Sequence, residues 1–251
     1  MWIEIICDDE QVIENNIRQA KIKHPDFEEF NSEEATKHFK TKLQSLSSYY
    51  ETLNEDEYMD ISFVKLINIG KELEIHNIDG YLQSKILQYI MNLHIFPRPI
   101  YFTRHGETSY NIENRIGGDS NLTSKGLKYC DILNDFFHQE TKSKEFDLAI
   151  EKPMIFCSTL IRGLKTANSI DIGTQPISLK ILDEIDCGLF DGKTFQEIKT
   201  QYPEEYNSRC EDKLNYRFPR GESYLDLIQR IEPVIFEIER AKGPVIVVFN
   251  Y

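Results

Sequence analysis

The sequence predicts an α/β protein. Short apolar runs bounded by polar clusters alternate along the chain with segments whose apolar residues fall at helical spacing. One such run, Ile100 to Phe102, stops at Thr103-Arg104-His105-Gly106-Glu107, and Pro97 and Pro99 just before it break the chain into two alternating segments. A strand that ends in Arg-His-Gly sets an imidazole and a guanidinium at the carboxyl edge of a sheet, where α/β sheets bind their ligands.

In order, Trp2 to Ile6 reads as a strand. Gln11 to Ile22 reads as a helix that the Asp8-Asp9 pair is suited to cap. A second helix opens at Ser32-Glu33-Glu34 and runs to about Tyr50, and Glu51 to Asp60 is an acidic loop. Val64 to Ile69 is a strand, and a helix runs from Gly80 to about Leu93. After the proline break come a strand at 100–103, a helix from about Thr123 to Gln139, a strand within Phe146 to Cys157, and a helix from Arg162 to Ser169. Helices over Gln196 to Tyr206 and Tyr224 to Glu239 follow, the second with Leu227, Ile231 and Ile235 at helical spacing, and Val245 to Phe249 is a last apolar strand.

The composition bounds the function. A chain of 251 residues with 40% hydrophobic and 12% aromatic residues can bury a proper core in one large or two modest domains. Its net charge of −13 excludes nucleic-acid and membrane-surface roles, which need a basic field. An anionic small molecule remains open, because Arg209, Lys213, Arg217 and Arg220 concentrate positive charge locally. Five scattered cysteines without CxxC spacing signal neither a disulfide framework nor a zinc site. Neither a signal-peptide pattern nor an apolar run near the ~20 residues of a membrane helix occurs, so a soluble cytoplasmic protein is expected.

An imidazole beside an arginine can attack phosphorus, splitting one hard step into two easier ones. The phosphoryl oxygens then call for several guanidinium groups, which bind them bidentately. Arg104 is one candidate and Arg162 a second, although Arg162 taken alone reads as a solvated helix residue. The departing alkoxide needs a proton. Glu184 lies among Asp183 and Asp186, and crowded carboxylates raise one another's pKa, which suits a general acid. Taken alone, this run reads equally well as an acidic loop or a helix cap.

These pieces resemble the histidine phosphatase superfamily, and more narrowly the bisphosphatase domain of the 6-phosphofructo-2-kinase/fructose-2,6-bisphosphatase family. The narrower likeness rests on Arg115-Ile116-Gly117-Gly118-Asp119-Ser120, Leu122-Thr123-Ser124-Lys125-Gly126, Tyr202-Pro203-Glu204-Glu205-Tyr206, Tyr216 through Tyr224, and Gln229 through Ile235. It implies a phosphoglycerate-mutase-like three-layer α/β domain over 97–251 that removes the 2-phosphate of fructose 2,6-bisphosphate without a cofactor. His105 would be the phosphoacceptor and Glu184 the proton donor, with Arg104, Asn111 and Arg162 on the transferred phosphate and Gly117 against the substrate. Arg209, Lys213 and Tyr224 would hold the sugar and its 6-phosphate, and Phe195 stands where the family has a tyrosine. Asn250 falls where the family carries a second catalytic histidine. The alternative, because that histidine and the kinase P-loop are absent, is a catalytically weak sugar-phosphate-binding protein or an inactive fragment.

Residues 1–96 resemble the carboxyl-terminal part of the kinase domain of the same family, a P-loop α/β domain, through Ile6-Cys7-Asp8-Asp9, Ile13 through Lys21, and Leu82 through His94. The resemblance places Cys7, Asn16, Lys21 and Lys42 near nucleotide and fructose 6-phosphate, with ATP and magnesium as cofactors of an intact kinase domain, and it allows a homodimer through this region. The stretch has no G-x-x-x-x-G-K-[ST] loop to cradle phosphates, so kinase activity is not expected from it alone. The whole reads as a bifunctional enzyme cut at both ends, its phosphatase domain incomplete at the carboxyl terminus and its first strand left with an unpaired edge.

Overall fold

The computed structural model describes residues 1–18, 32–68, 71–92, 98–142 and 152–250. The chain divides into two compact units, Met1–Met91 and Asn92–Tyr251.

In the first unit, β1 (Trp2–Ile6) is followed by α1 (Glu10–Asn16), α2 (Ser32–Ser47), β2 (Phe63–Ile67), β3 (Glu72–His76) and α3 (Tyr81–Asn92). The sheet order is β1-β2-β3, with β1 parallel to β2 and β2 antiparallel to β3. Strand β3 was not expected. Its sequence, Glu-Leu-Glu-Ile-His, alternates polar and apolar residues as a half-buried strand does, and its pairing gives β2 neighbours on both sides. Asp9 caps α1 by accepting from the amides of Gln11 and Val12. Residues 19–22 of the expected helix, Lys21 among them, lie outside the described residues.

The second unit contains β4 (Ile100–Arg104), α4 (Ser109–Glu113), α5 (Ser124–Glu140), β5 (Met154–Cys157), α6 (Ile161–Asn168), β6 (Ile177–Ser178), α7 (Phe195–Gln201), α8 (Pro203–Glu211), α9 (Tyr224–Arg240) and β7 (Val245–Phe249). Its sheet is parallel throughout, in the order β4-β7-β5-β6. Strands buried on both faces read as continuous apolar runs, and Val-Ile-Val-Val-Phe is such a run at the centre. The side-chain period of two sends Ile246 and Val248 to one face, where they pack with Leu133 and Phe137 of α5 and Ala167 of α6. Val245 and Val247 go to the other face, against Ala241 and Ile238 at the end of α9. The result is the three-layer α/β domain expected.

The single helix expected over Gln196 to Tyr206 is two. Tyr202 leaves helical geometry at φ −137°, ψ 61°, and Pro203, which has no N–H to donate, takes the first position of α8. The strand expected within Phe146 to Cys157 is described from Met154 onward.

Candidate active site

The carboxyl ends of β4, β5 and β7 converge on one cavity of about 580 Å³. Its wall includes Arg104, His105, Asn111, Gly117, Arg162, Glu184, Phe195, Arg209, Lys213 and Tyr224, which is the whole set of phosphatase residues expected from the sequence. It also includes Ile116, Ile185, Phe218, Leu227 and Asn250. A second core of Ile185, Cys187, Phe190, Ile198 and Phe218 supports the wall facing the sheet edge.

His105 follows β4 directly, its amide donating to the Phe249 carbonyl at 3.3 Å. The ring is buried, and Nδ1 lies 2.7 Å from the carbonyl oxygen of Gly106. A carbonyl only accepts, so Nδ1 carries the proton and Nε2 keeps its lone pair. Burial, reinforced by the positive charges of Arg162 and Arg104, pushes the imidazole pKa down to about 4. The ring is therefore neutral and nucleophilic at physiological pH. Gly106 has to be glycine, because a Cβ there would drive into the backbone of Gly126 at the start of α5.

Arg162 is 4% exposed, so the reading of a solvated helix residue does not hold. It sits in the first turn of α6, whose N-cap residue Leu160 supplies no side-chain cap. Asp119, from another loop, replaces it by accepting from the Ile161 amide at 2.8 Å, and Asp183 anchors the residue before the cap by accepting from the Thr159 amide at 2.7 Å. The guanidinium donates from Nη1 to the Gly118 carbonyl at 2.6 Å and from Nε to Asn250 Oδ1 at 2.9 Å, and Nη2 lies 3.7 Å from Glu184 Oε2. Gly117 makes the preceding turn at φ +64°, where a side chain would also strike Asp191. Asp191 in turn accepts from the Gly118 amide.

The Glu184 carboxyl is raised above the ordinary carboxylate range, for a reason other than the one expected. Burial raises it, while Arg162, Arg104 and Arg230 pull against that and the Ile185 amide donates to it. The neighbouring carboxylates are engaged elsewhere: Asp183 with Thr159, and Asp186 with the Gly188 amide. A raised pKa suits a carboxyl to hold and give a proton to a leaving oxygen.

Arg209 stacks on Phe195 at 4.5 Å from the ring centroid, with Phe218 at 5.7 Å, so the ring that stands in for a tyrosine serves as a platform for the guanidinium. Of the basic cluster seen in the sequence, Arg209 and Lys213 line the cavity, whereas Arg217 is paired with Asp226 at 2.5 Å. Arg230 is a residue whose role the sequence did not reveal. It pairs with Glu222 and donates to the carbonyls of Ile181, Asp183 and Glu184, which fixes the loop carrying Glu184. An arginine inside an amphipathic helix carries no signal of that role. Asn111 accepts from Thr108 in the capping box of α4, which sets it on the cavity wall.

In the first unit Cys7, Asn16 and Lys42 lie among the described residues and Lys21 does not. Lys42 lines an open groove along one face of α2 with Glu34, Lys37 and His38, and neither Cys7 nor Asn16 takes part in it. Among the described residues no cluster of three or more His, Cys, Asp or Glu is placed to hold a metal ion. No helix among the described residues is long and apolar enough to cross a membrane.

Comparison with known proteins gives two family matches: the histidine phosphatase superfamily (branch 1) over residues 100–250, and 6-phosphofructo-2-kinase over residues 1–97. A curated relative from Caenorhabditis elegans, a 6-phosphofructo-2-kinase/fructose-2,6-bisphosphatase, is 37% identical over 247 residues, covering 98% of this chain and 52% of that protein. The protein of the same name from Arabidopsis thaliana is 42% identical over 253 residues, 99% of this chain and 32% of its own. The chain thus spans a third to a half of the curated relatives it matches. Among solved structures, the α-ribazole phosphatase of Shigella flexneri shares the fold with a TM-score of 0.52 at 21% identity, covering 60% of this chain and 73% of that one.

Proposed function

Because this chain belongs to the histidine phosphatase superfamily (branch 1), we propose that its cavity hydrolyses fructose 2,6-bisphosphate to fructose 6-phosphate and phosphate through a phosphohistidine at His105. The observation that carries the reading is a buried, neutral imidazole sharing one cavity with Arg104, Arg162 and a carboxyl whose pKa is raised. The sugar comes from the names of the curated relatives, and a second cationic end at Arg209 and Lys213 suits a substrate with two phosphates.

In the first step, the Nε2 lone pair of His105 attacks phosphorus while the bond to the sugar 2-oxygen breaks. The carboxyl of Glu184 gives its proton to that oxygen, and fructose 6-phosphate leaves. In the second step, the carboxylate of Glu184 takes a proton from water as its oxygen attacks the phosphohistidine, releasing phosphate and restoring both groups. Arg162 and Arg104 balance the charge on the phosphoryl oxygens throughout, Arg162 already aimed by the Gly118 carbonyl and Asn250. We assign kinase chemistry with ATP and magnesium to a complete kinase domain, and no step here uses either.

Assay of fructose 6-phosphate release from fructose 2,6-bisphosphate tests the proposal. Turnover by the unmodified chain and none by Glu184→Ala or His105→Ala is expected, and equal release from all three would overturn it. Asn250, standing where the resemblance places a histidine, favours a second reading of binding without turnover. Calorimetric binding of the bisphosphate with no product formed would support that reading.

A further inference from the structure

Asn250 lies just past β7 and joins three parts of the cavity. Its Oδ1 accepts from Arg162 Nε at 2.9 Å, and its Nδ2 donates to the Leu182 carbonyl at 3.1 Å. The partners dictate that orientation of the amide, because a guanidinium can only donate and a carbonyl can only accept. Arg162 is buried, and its Nη1 is held from another direction by the Gly118 carbonyl. Two neutral oxygens on different segments thus grip the guanidinium from Nε and Nη1, while Nη2 lies toward Glu184.

We propose that Asn250 is a positioning residue that holds Arg162 in place for the anion at His105 and ties it to the segment carrying Glu184. Leu182, which takes the other end of the amide, lies two residues before Glu184, so one side chain sets the spacing between the phosphate-binding cation and the acid. The grip does not titrate. An aspartate of the same shape would still accept from Arg162, but its second oxygen would face the Leu182 carbonyl without a proton to donate, and it would bring a negative charge into an anion site. Once protonated, it would be isosteric with the native amide and would bridge the same two partners.

The inference rests on the phosphatase reading for the identity of the anion, and its test reads phosphate affinity apart from turnover. Inorganic phosphate is titrated calorimetrically into the full chain, Asn250→Ala and Asn250→Asp between pH 4.5 and 8, alongside thermal unfolding of each. His105, Arg104, Arg162 and Glu184 share the cavity with Asn250, so each variant is read as a ratio to the unmodified chain at the same pH. Asn250→Ala is expected to bind phosphate about tenfold more weakly at every pH, the loss of one hydrogen bond to a charged group. Asn250→Asp, held ionised by the Arg162 guanidinium, sets a negative charge beside the anion and is expected to bind more weakly than Asn250→Ala across the range. Loss of phosphate affinity at unchanged thermal stability is a result that a merely structural role would not produce. If Asn250→Ala destabilises the fold too far to titrate, Asn250→Ser, which cannot span both partners, takes its place with the same expected loss. Undiminished phosphate binding by Asn250→Ala or Asn250→Ser would overturn the proposal, as would absence of phosphate binding by the unmodified chain. Phosphate binding that follows the expected pattern, with no release of fructose 6-phosphate, would leave this inference standing and defeat the phosphatase reading.

Discussion

Two five-residue apolar runs, Trp-Ile-Glu-Ile-Ile in β1 and Val-Ile-Val-Val-Phe in β7, look alike in the sequence and meet opposite fates. Strand β7 has β4 on one side and β5 on the other, with helices over both faces, and Val245 through Val248 are all buried. Strand β1 pairs only with β2 among the described residues, and Trp2, Ile3 and Ile5 are exposed, Ile5 by 74%. Its buried side chain is instead Glu4, whose carboxylate accepts from the Tyr50 hydroxyl and the Leu53 amide. An apolar run therefore predicts a strand, while the neighbours of that strand depend on pairings far away in the sequence. The same difference separates the candidate sites. Arg104 and His105 stand at the carboxyl edge of a sheet covered on both faces and share one cavity with the other residues expected of the phosphatase, whereas of Cys7, Asn16 and Lys42 only Lys42 lines the groove along α2.

The contrast between the strands is open to direct measurement. Ile246→Ala should cost about 2–5 kcal/mol, because the side chain is fully buried and leaves a cavity. Ile5→Ala should stay within about 0.5 kcal/mol, the ordinary range for an exposed position. Denaturant unfolding compares the two, and equal losses would break the contrast.

Acid should act on the second unit through its site. His105 is held neutral down to about pH 4, while the unfolded imidazole takes a proton near 6.5. Between those values the unfolded state binds the extra proton, so stability falls with pH from about 6.5 to about 4, by an amount on the order of 3 kcal/mol. Glu184 works in the opposite sense. Its folded pKa is raised, so its contribution is present below the unfolded carboxyl pKa and is lost as pH rises through the folded value. Unfolding curves across this range should lose the acid-side slope in His105→Asn, and an unchanged slope would show that the ring does not carry it.

A smaller effect is expected at the far end of the cavity. Phe195→Leu removes the ring on which Arg209 stacks, a contact of about 0.5–1 kcal/mol. KM for the bisphosphate should rise a few-fold with kcat little changed, and a phosphomonoester that does not reach Arg209 should show no change. Steady-state kinetics with both substrates separate these outcomes.

Much of the site was legible because its chemistry is local in the sequence. Arg104 and His105 end a strand, and Thr194-Phe195 and Ser223-Tyr224 open helices that begin with their own caps. What was not legible depends on distant partners. The burial of Arg162 follows from Asp119, Gly118 and Asn250, which lie 43, 44 and 88 residues away (162 − 119, 162 − 118 and 250 − 162). The pKa of Glu184 is governed by burial, which the carboxylates beside it in the sequence could not reveal. Strand β3 was hidden because its apolar residues are only Leu73 and Ile75, too few to stand out without the pairing to β2.

Phosphorylation of His105 is the step on which the proposed hydrolysis turns. Fructose 2,6-bisphosphate labelled at the 2-phosphate, mixed with the unmodified chain and quenched rapidly in denaturant, should leave acid-labile label on His105. His105→Ala should carry none. No trapped label on the unmodified chain, or equal label on both, would contradict the account.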